Sequence, residues 1–291
     1  MKLTMTLLIK NEVDIIADNI KVHSKLGVDS FVVMDNGSTD GTREVLDQLQ
    51  KEYDLIIIDR PVLDYQQSNW KTEMAKVARS EQGADWVITN DADEFWVPDS
   101  GDLKSELTST GSIIECPRFN VLFDRDAFDN GGKYYDQTNR VQYPINYPKG
   151  IQREQENLSI MLGNIHGKVM VQTKGLLRVK GGNHRAWHLW GWLNQKKSQN
   201  ISVYHFPIRS KEHFVDNIEN RRALLAKGVS KMGDHYRRWV DLLNQDKLEE
   251  EFERLEPLRD VSVGEILSGA IGIEPARWTK PDQMRVGSWL P

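Results

Sequence analysis

Trp86-Val87-Ile88-Thr89-Asn90-Asp91-Ala92-Asp93-Glu94-Phe95-Trp96 begins as a run of strand-forming residues and turns abruptly into a cluster of carboxylates. Three runs of the same kind precede it: Leu3–Ile9, Ser30–Met34 and Leu55–Ile58. The stretches between them carry helical periodicity and end in turn signals. In the first, Ile16, Ile20 and His23 recur on one face, and Gly27 stands where a helix closes on a left-handed residue. The second is expected to begin near Asp40 or Thr42, either of which can cap it, and to run through Val45 and Leu46. The third buries Trp70, Met74, Val77 and Ala78 ahead of Gly83. Strand and helix therefore alternate as βαβαβαβ. Crossovers of this length demand parallel pairing and right-handed connections, with helices covering both faces of the sheet.

In an open parallel sheet, ligands bind beyond the carboxyl ends of the strands. Those positions are polar here: Lys10-Asn11-Glu12 after the first run, Asp35-Asn36-Gly37-Ser38-Thr39-Asp40-Gly41 after the second, and Asp91-Ala92-Asp93-Glu94 after the fourth. If the segment stays extended, Asp91 and Asp93 point to the same side, where they can share a hard cation. Without one they repel, and a divalent ion would keep both ionised. The plainer reading is that these aspartates cap the turn that follows. Asp35-Asn36-Gly37 is a turn signal, with Ser38, Thr39 or Asp40 as a helix cap. Alternatively, Asp35 accepts hydrogen bonds from a nucleobase or ribose while Gly37 lets the ligand approach the backbone. Glu12 divides in the same way between a ribose contact and an acidic first-turn residue.

Taken together, Leu8-Ile9-Lys10-Asn11-Glu12, Asp35 through Thr42 and Asp91-Ala92-Asp93-Glu94-Phe95 resemble, in order, the amino-terminal motifs of family 2 glycosyltransferases with a GT-A fold. Tyr204-His205-Phe206-Pro207-Ile208-Arg209-Ser210 is similar to the His-x-Pro-x-Arg-Ser element of one branch of that family. The resemblance is clear over residues 1 to about 100 and patchy from about 180 to 240. It implies a mixed, mainly parallel α/β sheet and transfer of a sugar from a nucleotide diphosphate donor to a saccharide or related hydroxyl acceptor, with inversion. It implies Mn2+ or Mg2+ held by Asp91 and Asp93, with His205 as a further ligand. It implies a donor site drawing on Lys10, Asn11, Glu12, Asp35, Asn36, Asp91 and Arg209. Histidine favours manganese over magnesium. Such enzymes commonly serve polysaccharide biosynthesis.

Inverting transfer needs a base within about 3 Å of the acceptor hydroxyl, and the family's usual acid has no clear match. The candidates are His184, beside the Gly181-Gly182 pair, and Asp124 and Asp126; His184 is preferred, with Asp93 as the other catalytic residue. From Phe119 to about Gly182, Asn, Gly, Tyr and Pro predict loops with short strands, where acceptor specificity would lie. Trp187, Trp190 and Trp192 form an aromatic cluster with His184 and His188; core packing is the better reading, and a sugar platform is the alternative. The expected organisation is a catalytic domain over 1–215, split into a nucleotide half (1–100) and an acceptor half (101–215), followed by a helical region over 216–291. Lys231, Arg237 and Arg238 give that region a basic tract able to meet diphosphate or an anionic membrane, against the default of a solvent-facing helix.

The composition sets the outer limits. A chain of 291 residues with net charge −5, 28% charged and 39% hydrophobic is neither disordered nor repetitive. The acidic balance weighs against nucleic acid as a partner. The single Cys116 excludes an intramolecular disulfide, and no apolar run approaches the roughly 20 residues of a spanning helix. A cytoplasmic protein is expected, in reach of peripheral contact with the inner face of a membrane. A sugar-phosphate nucleotidyltransferase would carry a Gly-rich, Arg-containing loop after the first strand, and a dehydrogenase Gly-x-Gly-x-x-Gly; Lys10-Asn11-Glu12 is neither. A non-catalytic carbohydrate-binding protein is the remaining rival.

Overall fold

The computed structural model describes residues 1–62, 66–123, 128–137, 139–141, 144, 146, 160–229, 232–255 and 273–275. The first four strands are β1 (Leu3–Ile9), β2 (Ser30–Asp35), β3 (Leu55–Asp59) and β4 (Trp86–Asn90), separated by helices α1 (Ile16–Lys25), α2 (Thr42–Leu49) and α3 (Gln67–Gln82). β1 pairs in parallel with both β2 and β4, and β2 with β3. Strands β1, β2 and β4 are buried almost throughout, as a sheet covered on both faces requires. Gly27 and Gly83 take positive φ just after α1 and at the end of α3, as expected.

Downstream lie β5 (Glu94–Pro98), β6 (Ile113–Cys116), β7 (Arg118–Asn120), β8 (Asn139–Val141), β9 (Lys168–Gln172), β10 (Leu176–Val179), β11 (Ala186–His188), β12 (Gln195–Lys197), β13 (Ile201–His205) and β14 (Ile273–Pro275). The main sheet has the order β12-β6-β9-β4-β1-β2-β3. Its β9 is antiparallel to both neighbours, β4 and β6. The sheet is thus mixed and mainly parallel, as expected, with one reversed strand inserted beside β4. A separate antiparallel pair joins β5 to β13, placing His205 opposite Glu94.

The chain divides into two compact units, and each draws on several stretches. Of the described residues, one takes those within 1–118 and 166–205, and the other those within 119–165 and 206–275. The division expected from the sequence, 1–215 and 216–291, is contiguous, whereas these units interleave. In the first unit, Met74, Ala75 and Ala78 of α3 pack with Val32, Met34, Val87 and Val171 of the sheet. In the second, helices Lys211–Ala226, Asp234–Leu243 and Leu248–Arg254 contribute Phe214, Ile218, Trp239, Val240 and Phe252 to a core of their own. No helix among the described residues is long and apolar enough to cross a membrane.

Candidate functional site

The acidic loop after β4 is not extended. Asp91-Ala92-Asp93 forms a tight turn, closed by the Glu94 amide donating to the Asp91 carbonyl at 3.1 Å, and the chain reverses into β5. The expectation that the two aspartates lie side by side on an extended strand is therefore corrected, and each meets different partners. Lys71 of α3 donates to Asp91 Oδ1 at 2.8 Å, Lys168 of β9 to Oδ2 at 2.6 Å, and Asn183 to Oδ1 at 3.2 Å. Both lysines are buried. They hold the Asp91 carboxyl well below the ordinary carboxylate range, against the opposing effect of burial. Lys71 in turn has a lowered pKa, chiefly through desolvation and secondarily through repulsion from Lys168.

Asp93 faces the other way. Its Oδ2 lies 3.3 Å from His205 Nε2 at the end of β13. Asp93, Glu94 and His205 each offer a ligand atom, all within 4.8 Å of one another. Glu94 is fully buried; its Oε1 pairs with Arg118 at 2.6 Å and with Lys168 at 3.0 Å, while its Oε2 has no hydrogen-bond partner among the described residues. A buried carboxylate oxygen left without a partner is costly, and a cation shared with Asp93 and His205 would satisfy it. The donor set of two carboxylates and an imidazole suits a divalent ion such as Mn2+.

His184 caps a short turn, Gly181–Asn183, between β10 and β11. Its Nδ1–H donates to the Gly167 carbonyl at 2.9 Å, which leaves Nε2 as an acceptor. Burial, then the charges of Lys168 and Arg118, push its pKa down to about 3, so the ring is neutral near pH 7 and only weakly basic. Asp124 and Asp126, the other base candidates, lie outside the described residues, as does Lys231.

The loops after β1 and β2 are tied together. Asn11 adopts a positive φ of 56°; its amide donates to Ser38 Oγ at 2.9 Å and its Oδ1 accepts from the Thr39 amide at 2.9 Å. The Glu12 amide donates to Thr42 Oγ1 at 2.8 Å. Asp35 Oδ1 accepts from both the amide and the hydroxyl of Ser38, an Asx turn. Asn36 Nδ2 donates to the carbonyls of Arg60 and Val62, each at 2.7 Å. Asp40, expected as a cap, accepts from the amide and hydroxyl of Thr42, the first residue of α2. Lys10, half-buried, ends this rim at the edge of β1. Arg209 is buried in the second unit, apart in sequence from the loops that build the acidic cluster.

Two functional-looking features were invisible in the residue pattern. Lys71 and Lys168 read as ordinary surface lysines, because nothing local distinguishes a lysine whose ammonium is neutralised by a carboxylate far away in sequence. The tryptophans reverse expectation in the opposite sense: Trp187 and Trp190 are exposed rather than packed in a core.

A sequence model described as Glycosyltransferase family 92 matches residues 6–206, a different family from the family 2 expected from the motifs. A search of curated proteins finds no match. Among solved structures, Staphylococcus aureus TarS 1–349 in complex with UDP-GlcNAc is similar with a TM-score of 0.43 at 11% identity, covering 91% of this chain and 77% of that one. Glucosyl-3-phosphoglycerate synthase from Mycobacterium tuberculosis, in complex with Mn2+, UDP and glucosyl-3-phosphoglycerate, gives a TM-score of 0.38 at 14% identity, covering 78% and 79%.

Proposed function

The chain belongs to glycosyltransferase family 92, and from that membership we propose that it moves a sugar from a nucleotide diphosphate donor to a hydroxyl of a saccharide or related acceptor, with a divalent cation at Asp93, Glu94 and His205. The observation that carries the metal assignment is that Asp93, Glu94 and His205 each offer a ligand atom within 4.8 Å of the others, while one oxygen of the buried Glu94 has no hydrogen-bond partner among the described residues. A cation bound there would act as a Lewis acid, offsetting charge on the departing diphosphate.

The remaining roles follow from what each group has left to give. Both oxygens of Asp91 already accept from buried ammoniums, so we assign Asp91 to a fixed anion that aligns the turn rather than to the metal. The rim of Lys10, Asn11, Glu12, Asp35 and Asn36 is assigned to the nucleoside side of the donor. Asp35 Oδ1 is committed to its turn, and Oδ2 is the atom proposed to meet base or ribose. Arg209 is proposed as a phosphate partner through its planar fork. A histidine with a pKa of about 3 is too weakly basic to take an acceptor proton efficiently near neutrality; His184 is proposed instead to accept a hydrogen bond from a sugar hydroxyl through Nε2. The transfer is proposed to invert the anomeric carbon, which NMR of the product decides.

The test is Asp93→Ala. Donor hydrolysis and transfer should fall at least a hundredfold, and the Mn2+-dependent heat of nucleotide binding should vanish, while the melting point stays nearly unchanged. Persistence of activity in the variant, or a wild-type chain that binds no nucleotide sugar with Mn2+ in calorimetry, would refute the assignment. A thermal-shift screen of UDP-, GDP- and dTDP-sugars then identifies the donor, because a ligand that binds only the folded state raises its melting point.

A further inference from the structure

Between Val169 and Asn200 the sequence contains six Lys and Arg residues and no Asp or Glu, in a chain whose net charge is −5. This acid-free stretch builds the β10–β11 hairpin and the turn of helix Gly191–Asn194 that follows it. Among the described residues it also carries most of the large exposed apolar side chains: Leu177 on β10, Trp187 on β11, and Leu189, Trp190 and Leu193 beyond, with Trp187 at 55%, Leu189 at 56% and Leu193 at 59% exposure.

The apolar groups stand on a firm base. The Leu189 amide donates to the Gly175 carbonyl at 2.9 Å, and His188, buried beneath, bridges to the Gln172 carbonyl at 3.1 Å. Gly175, with φ +96°, has no room for a side chain, since a Cβ there would meet His188 and the Trp190 ring. The exposure therefore belongs to an ordered surface held to the end of β9.

We propose that this face seats the protein on an anionic lipid bilayer, with Leu177, Trp187, Leu189, Trp190 and Leu193 entering the interface and the surrounding cations meeting lipid phosphates. Clustered apolar side chains on a soluble surface mark an interaction site. Tryptophan and leucine flanked in sequence by lysine and arginine, in a stretch that itself carries no carboxylate, match the charge and polarity of an anionic headgroup layer. Lys180 already lies over the Trp187 ring at 5.4 Å, the arrangement of an ammonium at the water boundary above an aromatic body. A saccharide platform would call for aromatic faces edged by hydrogen-bonding groups, and three of these five residues are leucines. The turn of the same hairpin carries Asn183 onto Asp91, so docking here would bring the acidic loop close to the lipid surface.

The experiment uses the full chain without nucleotide, so that its outcome is independent of the donor reading. Sedimentation with phosphatidylcholine–phosphatidylglycerol vesicles should pull the protein down, pure phosphatidylcholine should not, and raising the salt should release it. Trp187→Ser with Leu193→Ser, and separately Lys174→Glu with Arg185→Glu, should each weaken partitioning at least tenfold with an unchanged circular dichroism spectrum, since all four side chains are exposed. Three results would overturn the proposal: equal binding to neutral and anionic vesicles or to neither, variants that sediment like wild type, or a lipid-free dimer that the Trp187→Ser/Leu193→Ser variant converts to monomer. A raised KM for a soluble acceptor with vesicle binding unchanged would overturn it in favour of a sugar platform.

Discussion

Lys168 has no exposed surface, and its ammonium reaches Asp91 at 2.6 Å and Glu94 at 3.0 Å. It is neutralised on both sides, so removing it leaves two carboxylates facing each other with less compensation. Lys168→Met should destabilise the fold by about 3–5 kcal/mol in urea unfolding, the usual cost of breaking a buried pair from one side. Adding Glu94→Gln to that variant should recover part of the loss, because it removes one of the stranded charges. A stability loss of less than about 1 kcal/mol in the single variant would mean that the ammonium contributes little. This arrangement was illegible in the sequence for a physical reason: lysine is almost never fully buried, and the partners that make burial tolerable lie 74 to 77 positions away in the chain. Asp91 and Asp93 stood out because an acid pair following an apolar strand is a local signal, and His205 only through the family resemblance; that Asp91 is held by two lysines instead of facing Asp93 was not legible. Glu94 was quoted in the same motif, yet its part emerges only once β5 pairs with β13 and sets it opposite His205.

Among the elements, the four parallel strands were readable to within a residue, because each is a short apolar run bounded by turn residues. The reversal of β9 was not readable. Lys168–Gln172 is an unremarkable apolar pentapeptide, and nothing in it states which edge it will join or in which direction. The α2 start was legible to within two residues: the helix opens at Thr42 with Gly41 as its cap residue and no side-chain cap, while Asp40 accepts from the Thr42 amide and hydroxyl. The β6–β9 pairing also fixes one backbone position closely: a Cβ at Gly167 would fall 2.5 Å from the Cys116 carbonyl oxygen, a backbone atom that cannot swing aside. Gly167→Ala should therefore cost about 1–3 kcal/mol, as overpacking commonly does. Because the Gly167 carbonyl holds His184, the same change should also alter the environment of that ring, visible in its imidazole NMR signals. An unshifted His184 signal would show that the carbonyl does not move.

Across the whole molecule, stability should depend on pH in a window set by buried histidines. His23 is fully buried, donating from Nδ1 to the Asn19 carbonyl and accepting at Nε2 from the Trp96 amide, and desolvation lowers its pKa to about 4. His184 falls to about 3. Both sit below the ordinary value near 6.5, so between that value and the folded pKa the unfolded chain binds more protons than the native one, and stability rises with pH. Each group contributes a slope of up to about 1.4 kcal/mol per pH unit across its own window. Asp91, whose folded pKa is depressed below the usual carboxylate range, loses its stabilising contribution only at lower pH. Urea unfolding between pH 4.5 and 7 should show the rise, and His23→Gln should remove one histidine's share; a flat profile in wild type would contradict both pKa shifts.

The place of β9 also bears on how the chain is made. Its residues sit between β4 and β6 in the sheet but follow them by some 50 to 80 positions in the chain. A nascent chain that has emerged only as far as β6 has its four parallel strands in place and the far edge of β4 bare, a row of unpaired amides and carbonyls that invites pairing with a neighbouring polypeptide. Closure waits until the ribosome has delivered residue 172, so translation pauses or truncations upstream of that point should favour aggregation over a soluble amino-terminal fragment.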